Sequence, residues 1–400
     1  MPQKNGYQKN VVALGMVSFW SGLSQDMIAS IFPIFLTSLG FSKEFIGLIG
    51  GLVTSVSSLF KILAGYISDK LKHRKWIIFI GYALSVVARP LLGAFSSGLQ
   101  IVGLRFADAV GKGTKDAPRD ALVAESSPAN KTGRFFGLHR MLDTFGSVAG
   151  PLTAALLLKF VGENVGGYKN IFYLAAIPGA IALLVIIFFV RETPKLKNTV
   201  GEAVSIKKSL MGINKKFYFL LFVVVIFSLG NSTDAFLLLR AQNLGLKIFA
   251  IPLVYAAFYF FYALLSYPIG IWSDKIGKKI MIVSGWGVYA LTYLGFALAT
   301  QAWQVWPLFI LYGFFYAATE GSGRALTADL VDPAYHGLAF GFYNTAIAIT
   351  ALPASIFAGY LWDHYSPAAA FHFGWISAVA AIILFGIYSL ASSRRFKVNF

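Results

Sequence analysis

The stretch "GIWSDKIGKK" (270–279) ends one apolar segment and precedes another, and "GYISDK" (65–70) does the same 205 residues earlier. The spacing recurs along the chain. "SLGF" (38–41) answers to "NLGL" (243–246), Arg119 answers to Arg324, and "FFGLHR" (135–140) answers to "AFGFYN" (339–344) with one residue lost. A repeat that keeps register over this distance implies a duplicated unit. Twelve apolar segments can be drawn, at 9–38, 44–69, 75–95, 98–126, 132–159, 168–191, 216–244, 247–273, 279–299, 303–331, 336–361 and 367–392. Six lie on each side of the most polar long connector, "ETPKLKNTVGEAVSIKKSLMGINKK" (192–216). The expected organisation is an N-terminal six-helix bundle (9–191), a linker (192–215) and a C-terminal six-helix bundle (216–393).

Composition agrees with segments that cross a bilayer. Of the 400 residues 57% are apolar and only 13% charged, against about 25% charged in a soluble domain. Runs such as "IFYLAAIPGAIALLVIIFFV" (171–190) reach the roughly 20 residues a transmembrane helix needs. The fold class is therefore an all-α membrane protein of twelve transmembrane helices, with no cleavable signal expected ahead of the first. No cysteine is present, so disulfides and thiolate metal sites are excluded. The net charge of +17 would suggest nucleic acid in a soluble protein. Its distribution gives another reason: 21 Lys and Arg fall in loops and tails on the side of the termini and four on the other side. By the positive-inside rule both termini are expected in the cytoplasm, in a plasma or inner membrane. Nucleic acid is not needed as a partner.

On these residues the chain resembles the major facilitator superfamily over nearly its full length. Gly270, Asp274, Lys275, Gly277, Lys278 and Lys279 match its G-x-x-x-D-[RK]-x-G-[RK]-[RK] signature. The earlier copy keeps Gly65, Asp69 and Lys70 but has Lys72 at the glycine, followed by His73, Arg74 and Lys75. In the fifth segment Gly137, Gly146, Gly150 and Pro151 resemble the family's antiporter motif, with Ala154 and Ala155 replacing its last glycines. The resemblance implies two pseudo-symmetric bundles, a central cavity lined by the first, fourth, seventh and tenth helices, and antiport. Apart from it, Asp69 and Asp274 sit at helix ends beside cations, where they can cap or bridge neighbouring termini and latch one conformation. Small residues let helix backbones approach closely, so Gly137, Gly146, Gly150 and Pro151 are expected at a packed helix interface.

The fourth segment contains "RFADAVGKGTKDAPRDAL" (105–122), four cations and three anions inside a span. At about 100° per residue, Arg105, Asp108, Lys112, Lys115, Asp116 and Arg119 occupy roughly a third of the helix circumference. Such a stripe must avoid lipid, and it reads as one wall of a translocation path. Nine Lys or Arg fall within spans: Lys61, Arg89, Arg105, Lys112, Lys115, Arg119, Arg140, Arg240 and Arg324. A charge at the bilayer centre costs about 2.5–3.5 kcal/mol even on the mild insertion scale, so most must be paired or hydrated.

Proton coupling needs a carboxylate that changes charge as its surroundings change. Asp26, the only acidic residue of its segment and near mid-span, is the first candidate, followed by Asp234 and Glu320, each with an arginine nearby in sequence. Candidate substrate ligands are Arg105, Lys112, Lys115, Arg140, Asp143, Arg240 and Arg324. Candidate gating residues are Asp69, Lys70, Arg74, Arg119, Asp120, Asp274, Lys275 and Lys278. The five histidines lack ligand spacing and "RFADAVGKGTK" lacks the phosphate-loop pattern, so neither an enzyme, a cofactor nor a metal site is expected. The function read here is a monomeric secondary active transporter exporting an anionic or zwitterionic metabolite, or an acidic metal chelate, by proton-coupled alternating access. Its partners are that small molecule, protons and the lipid bilayer. The competing readings are a proton/multidrug antiporter for lipophilic compounds, proton-coupled uptake of an organic anion, and, in another class, a transporter-like receptor or lipid flippase.

Overall fold

The computed structural model describes residues 4–71, 73–127, 132–192, 215–332 and 336–394. Its α-helices are α1 (Lys4–Ala29), α2 (Phe32–Ser38), α3 (Lys43–Leu71), α4 (Arg74–Leu91), α5 (Gly98–Ser126), α6 (Thr132–Val161), α7 (Val165–Leu174) and α8 (Ala176–Phe189) in the N-terminal half. The C-terminal half has α9 (Lys215–Gly230), α10 (Ala235–Asn243), α11 (Ile251–Ile276), α12 (Lys278–Leu298), α13 (Val305–Asp329), α14 (His336–His364) and α15 (Pro367–Arg394). They make twelve spans, because α1 with α2, α7 with α8, and α9 with α10 are single spans broken in the middle. Most of the expected linker lies outside the described residues. Among the described residues, nine spans are long and apolar enough to cross a membrane on composition alone. The other three are α4, α5 and α13, which carry buried or cavity-facing charge.

The breaks are absent from the sequence reading, which ran each span through, and each has a local cause. Pro33 stands in the first turn of α2 and Pro178 in the first turn of α8, where a missing N–H does least harm. In the seventh span the polar run Asn231-Ser-Thr-Asp234 offers side chains that compete for backbone hydrogen bonds. The freed amide of Thr233 donates to Ser355 Oγ on α14 at 3.1 Å.

The repeat is visible in the packing. In each half the first span packs on the fifth and sixth, the second on the fourth, and the third on the fourth and sixth. Gly40 and Gly245, one repeat apart, both end a helix in the left-handed region, at φ 83° and 84°. The next amide turns back to a helix carbonyl in both places, Phe41 to Leu36 and Leu246 to Ala241, each at 3.1 Å. On the face of the termini, Arg74 pairs with Glu125 at 2.9 Å and Lys278 with Asp329 at 2.6 Å, joining third to fourth span and ninth to tenth.

The halves meet through α3 with α14, α6 with α11, and α2 with α10. The tightest approaches lie on the face opposite the termini. A Cβ on Gly51 would come within 2.6 Å of Leu352 Cα, and one on Gly359 within 2.5 Å of the Lys43 carbonyl. Asp363 accepts from the Glu44 amide at 2.9 Å, and Glu163 from the Phe249 amide at 3.0 Å. Toward the termini the packing opens: Gly137, Gly270 and Gly321 have nothing within 4 Å of a Cβ position.

Candidate functional site

Two cavities, of about 410 and 330 Å³, lie between the halves and share Gln25, Lys112, Asp234, Tyr259 and Tyr316. The first is bounded by Asp26, Arg105 and Asp108 from the N-terminal half and by Asp234, Tyr255 and Tyr259 from the C-terminal half. The second runs toward the termini past Lys115, Asp116, Arg119, Arg140, Asp143 and Glu320. The α5 stripe therefore lines a path, and one turn of it, at Lys112, borders both chambers.

Most of the stripe is internally balanced. Asp108 accepts from Arg89 Nε at 3.0 Å and from Arg105 Nη1 at 2.9 Å, while Arg89 Nη2 also reaches Gln25 Oε1 at 3.0 Å. The Arg105 guanidinium lies 4.8 Å from the Phe32 ring centre. Lys115 pairs with Asp116 at 3.4 Å and covers the Tyr82 ring at 4.4 Å. Arg119 holds Asp120 at 2.9 Å and Asp116 at 3.4 Å. Lys112 is the exception: half-buried on the cavity wall, its ammonium has neither a hydrogen bond nor an ion pair among the described residues.

The three carboxylates proposed from sequence sit in different surroundings. Asp26 is 2% exposed, with Oδ1 3.5 Å from Gln25 Nε2 and Oδ2 buried without a partner within hydrogen-bond distance. Asp234 accepts from Tyr312 at 2.7 Å and Tyr255 at 3.4 Å, and Tyr255 is 3.3 Å from Tyr259. Glu320 takes the Tyr262 hydroxyl, Arg140 at 2.8 Å and Arg324 at 3.4 Å. The Arg140–Glu320 pair crosses between the halves, on the side where the backbone packing is open. Asp143 stands 3.6 Å from the same arginine.

Several expectations are corrected. Arg240 is not a cavity ligand: its guanidinium turns onto the Phe296 and Ala299 carbonyls at 3.0 and 2.8 Å, ending α12, and onto Asn243. It is therefore no partner of Asp234, whose neighbours are tyrosines. Arg324 is exposed and borders neither cavity. Asp274, expected as a latch, is exposed and unpaired among the described residues. Lys70 and Lys275 are likewise exposed, and the side chain of Asp69 lies outside the described residues. Arg74 and Lys278 join spans within one half rather than across halves. Gly146 packs on the Phe19 backbone, and a Cβ on Gly150 would meet the Leu23 carbonyl at 2.7 Å, one turn from Asp26. Pro151, Ala154 and Ala155 continue this buried surface. Gly137 does not, for it faces open space.

Sequence reasoning missed Gln25, Tyr312 and Tyr316. The two tyrosines lie four residues apart, and so on one face of α13. Among so many aromatic residues that spacing gave little signal.

Twelve spans in two repeat-related bundles, closed over a charged cavity between them, define the architecture of a membrane transporter. The chain belongs to the Major Facilitator Superfamily, whose model matches residues 14–240 and 219–397. It is 35% identical over 382 residues to an uncharacterised transporter of this type from Methanocaldococcus jannaschii, covering 94% of each chain. It is 25% identical over 407 residues to the multidrug resistance protein MdtG of Proteus mirabilis, covering 98% of each. The solved nucleoside transporter NupG superposes with a TM-score of 0.78 at 15% identity, over 95% of this chain and 99% of that one. The protein is a multi-pass membrane transporter of small molecules, and not an enzyme.

Proposed function

We propose that the protein exports an anionic or zwitterionic solute in exchange for protons. The observation that carries this reading is the ammonium of Lys112, unpaired among the described residues, half-buried between the two halves and bordering both chambers. A charge within a membrane span is expensive unless it is paired or hydrated. A carboxylate or phosphate on the cargo would do so in the loaded state. Asp26, close by with an unsatisfied oxygen, is the group we assign to the proton: the ammonium of a zwitterionic cargo and a proton compete for its carboxylate, while the cargo's anionic end rests on Lys112. The tyrosine wall of Tyr255, Tyr259 and Tyr316 supplies faces for an apolar or aromatic part of the same molecule.

Alternating access follows from the uneven contact between halves. The face opposite the termini is zipped by close backbone approach, whereas the terminal face is spanned by side chains such as Arg140 and Glu320. Rocking of one bundle against the other would release the first closure and bring the terminal backbones together. With the termini in the cytoplasm, as the distribution of Lys and Arg supports, the present state opens inward. The antiporter-type glycines against the backbone of α1 favour export, and so does the relative named a multidrug resistance protein.

The multidrug reading is favoured by one specific feature, the tyrosine wall around Asp234, which suits a lipophilic cation. Transport assays in proteoliposomes separate the two. Release of organic anions driven by a proton gradient, and lost in Asp26→Asn, supports the first reading; release of lipophilic cations alone supports the second. Binding without flux would instead make the protein a receptor.

A further inference from the structure

A second cavity system lies outside the transport path, on the lipid-facing side of α1 and α8 near the termini. It is a groove of about 500 Å³ whose walls are Val12, Ala13, Met16, Val185, Phe188 and Phe189. Phe188 and Phe189 are 71% and 67% exposed. The mouth of this groove carries two exposed cations, Lys9 and Arg191. A third, Lys75, lies beside it with Nζ 3.0 Å from the Ile187 carbonyl. The acid next to Arg191 in the chain, Glu192, accepts the Arg74 and Lys75 amides at 2.8 and 2.9 Å at the start of α4. Among the described residues the mouth therefore carries three cations, Lys9, Lys75 and Arg191, against the single carboxylate of Glu192, whose oxygens are turned to the α4 amides.

The backbone that carries the rim is held in place at Arg191. The Asn10 side chain accepts from the Arg191 amide at 2.8 Å and donates to the Arg191 carbonyl and to Ser126 Oγ, both at 2.9 Å. This fixes the chain leaving α8 to α1 and α5 in the arrangement that forms the groove. An apolar trough ending in a pair of exposed cations at a membrane surface has the chemistry to take an acyl chain along its walls and an anionic headgroup at its mouth. The larger apolar groove on the opposite face, about 620 Å³, makes the contrast: it is bordered by Glu44 and by no cation.

We infer that the groove between α1 and α8 is a binding site for an anionic membrane phospholipid, with Lys9 and Arg191 on the headgroup phosphate. The occupied site would join the start of the first span to the end of the sixth. That is where the chain leaves the N-terminal bundle for the linker, so bound lipid stabilises the bundle against unfolding.

The test uses the full chain, stripped of lipid in a neutral detergent, with thermal unfolding followed on adding phosphatidylglycerol or phosphatidylcholine. The expected result is a midpoint raised by phosphatidylglycerol and not by phosphatidylcholine. Lys9→Gln with Arg191→Gln should lose that increment while unfolding at the lipid-free midpoint of the parent. Arg134→Gln with Lys279→Gln, two exposed cations outside the groove, should keep it. Met16→Trp, which fills the trough, should retain less phosphatidylglycerol in native mass spectrometry. Equal shifts with both lipids, an unchanged shift in the Lys9 and Arg191 variant, or no shift at all because the chain's own 193–214 segment covers the groove, would each overturn the assignment.

Discussion

The two walls of the central cavity descend from one repeated unit and have become chemically unlike. The N-terminal wall is ionic, with Asp26, Arg105, Asp108 and Lys112, whereas the C-terminal wall presents Tyr255, Tyr259 and Tyr316 around a single carboxylate, Asp234. Elsewhere the halves remain alike. Both end the outer half of their first span on a left-handed glycine, and both join third to fourth span with an ion pair at the terminal face. What was kept is what each bundle needs to fold and move as a body. The divergence is concentrated where a solute would rest, and an asymmetric cavity fits a solute with two unlike ends.

The largest effect on this contrast should come from the ionic wall. Asp26→Asn is expected to abolish pH-driven transport while the protein folds and binds normally. Proteoliposome flux at two external pH values checks it, and coupling that persists would remove Asp26 from the mechanism. Next comes the bridge between the walls. Glu320→Gln weakens the Arg140 pair that holds the terminal face across the halves. The chain has no cysteine, so a single Ser147→Cys reporter in the second cavity reads this cleanly. Its labelling rate should rise several-fold on adding Glu320→Gln, and an unchanged rate would make the bridge incidental.

Two smaller effects separate shared scaffold from cavity. Gly146→Val forces a branched side chain against the Phe19 backbone, where overpacking costs about 1–3 kcal/mol, while Gly137→Val, in open space, should leave the melting temperature alone. Equal losses in the two variants would mean that the antiporter-type glycines are not distinguished by packing. Arg240→Gln leaves the Phe296 and Ala299 carbonyls short of donors, at about 1–3 kcal/mol. Thermal unfolding should register it, with substrate affinity unchanged, and a loss of affinity would return Arg240 to the site.

Much of this was legible in the sequence, for physical reasons. Span-length apolar runs and a repeat of fixed register specify the bundle count and order, and helical periodicity put six of the α5 charges on one face, where the structure finds a cavity wall. Pairing was harder to read. Asp108 is held by Arg89 from the neighbouring span as well as by Arg105, a contact across helices that no periodicity within one helix reveals. Arg240 resembled a cavity cation because its use, closing the end of α12, depends on carbonyls 56 and 59 residues away. The mid-span breaks follow from prolines and polar runs that are individually common, and only the tertiary partner, such as Ser355 for the Thr233 amide, makes a break stable.

The central claim is that Lys112 is held without a partner for the cargo's negative charge. The measurement that reaches it most directly is ligand-induced thermal stabilisation of the purified protein and of Lys112→Ala. Organic anions, acidic metal chelates and lipophilic cations would be compared at an acidic and an alkaline pH. The account predicts stabilisation by members of the first two groups, with affinity falling about tenfold or more in the variant, as expected for loss of a charged hydrogen bond. Stabilisation by lipophilic cations alone, undiminished in Lys112→Ala, would contradict it and give the cavity to the tyrosine wall and Asp234.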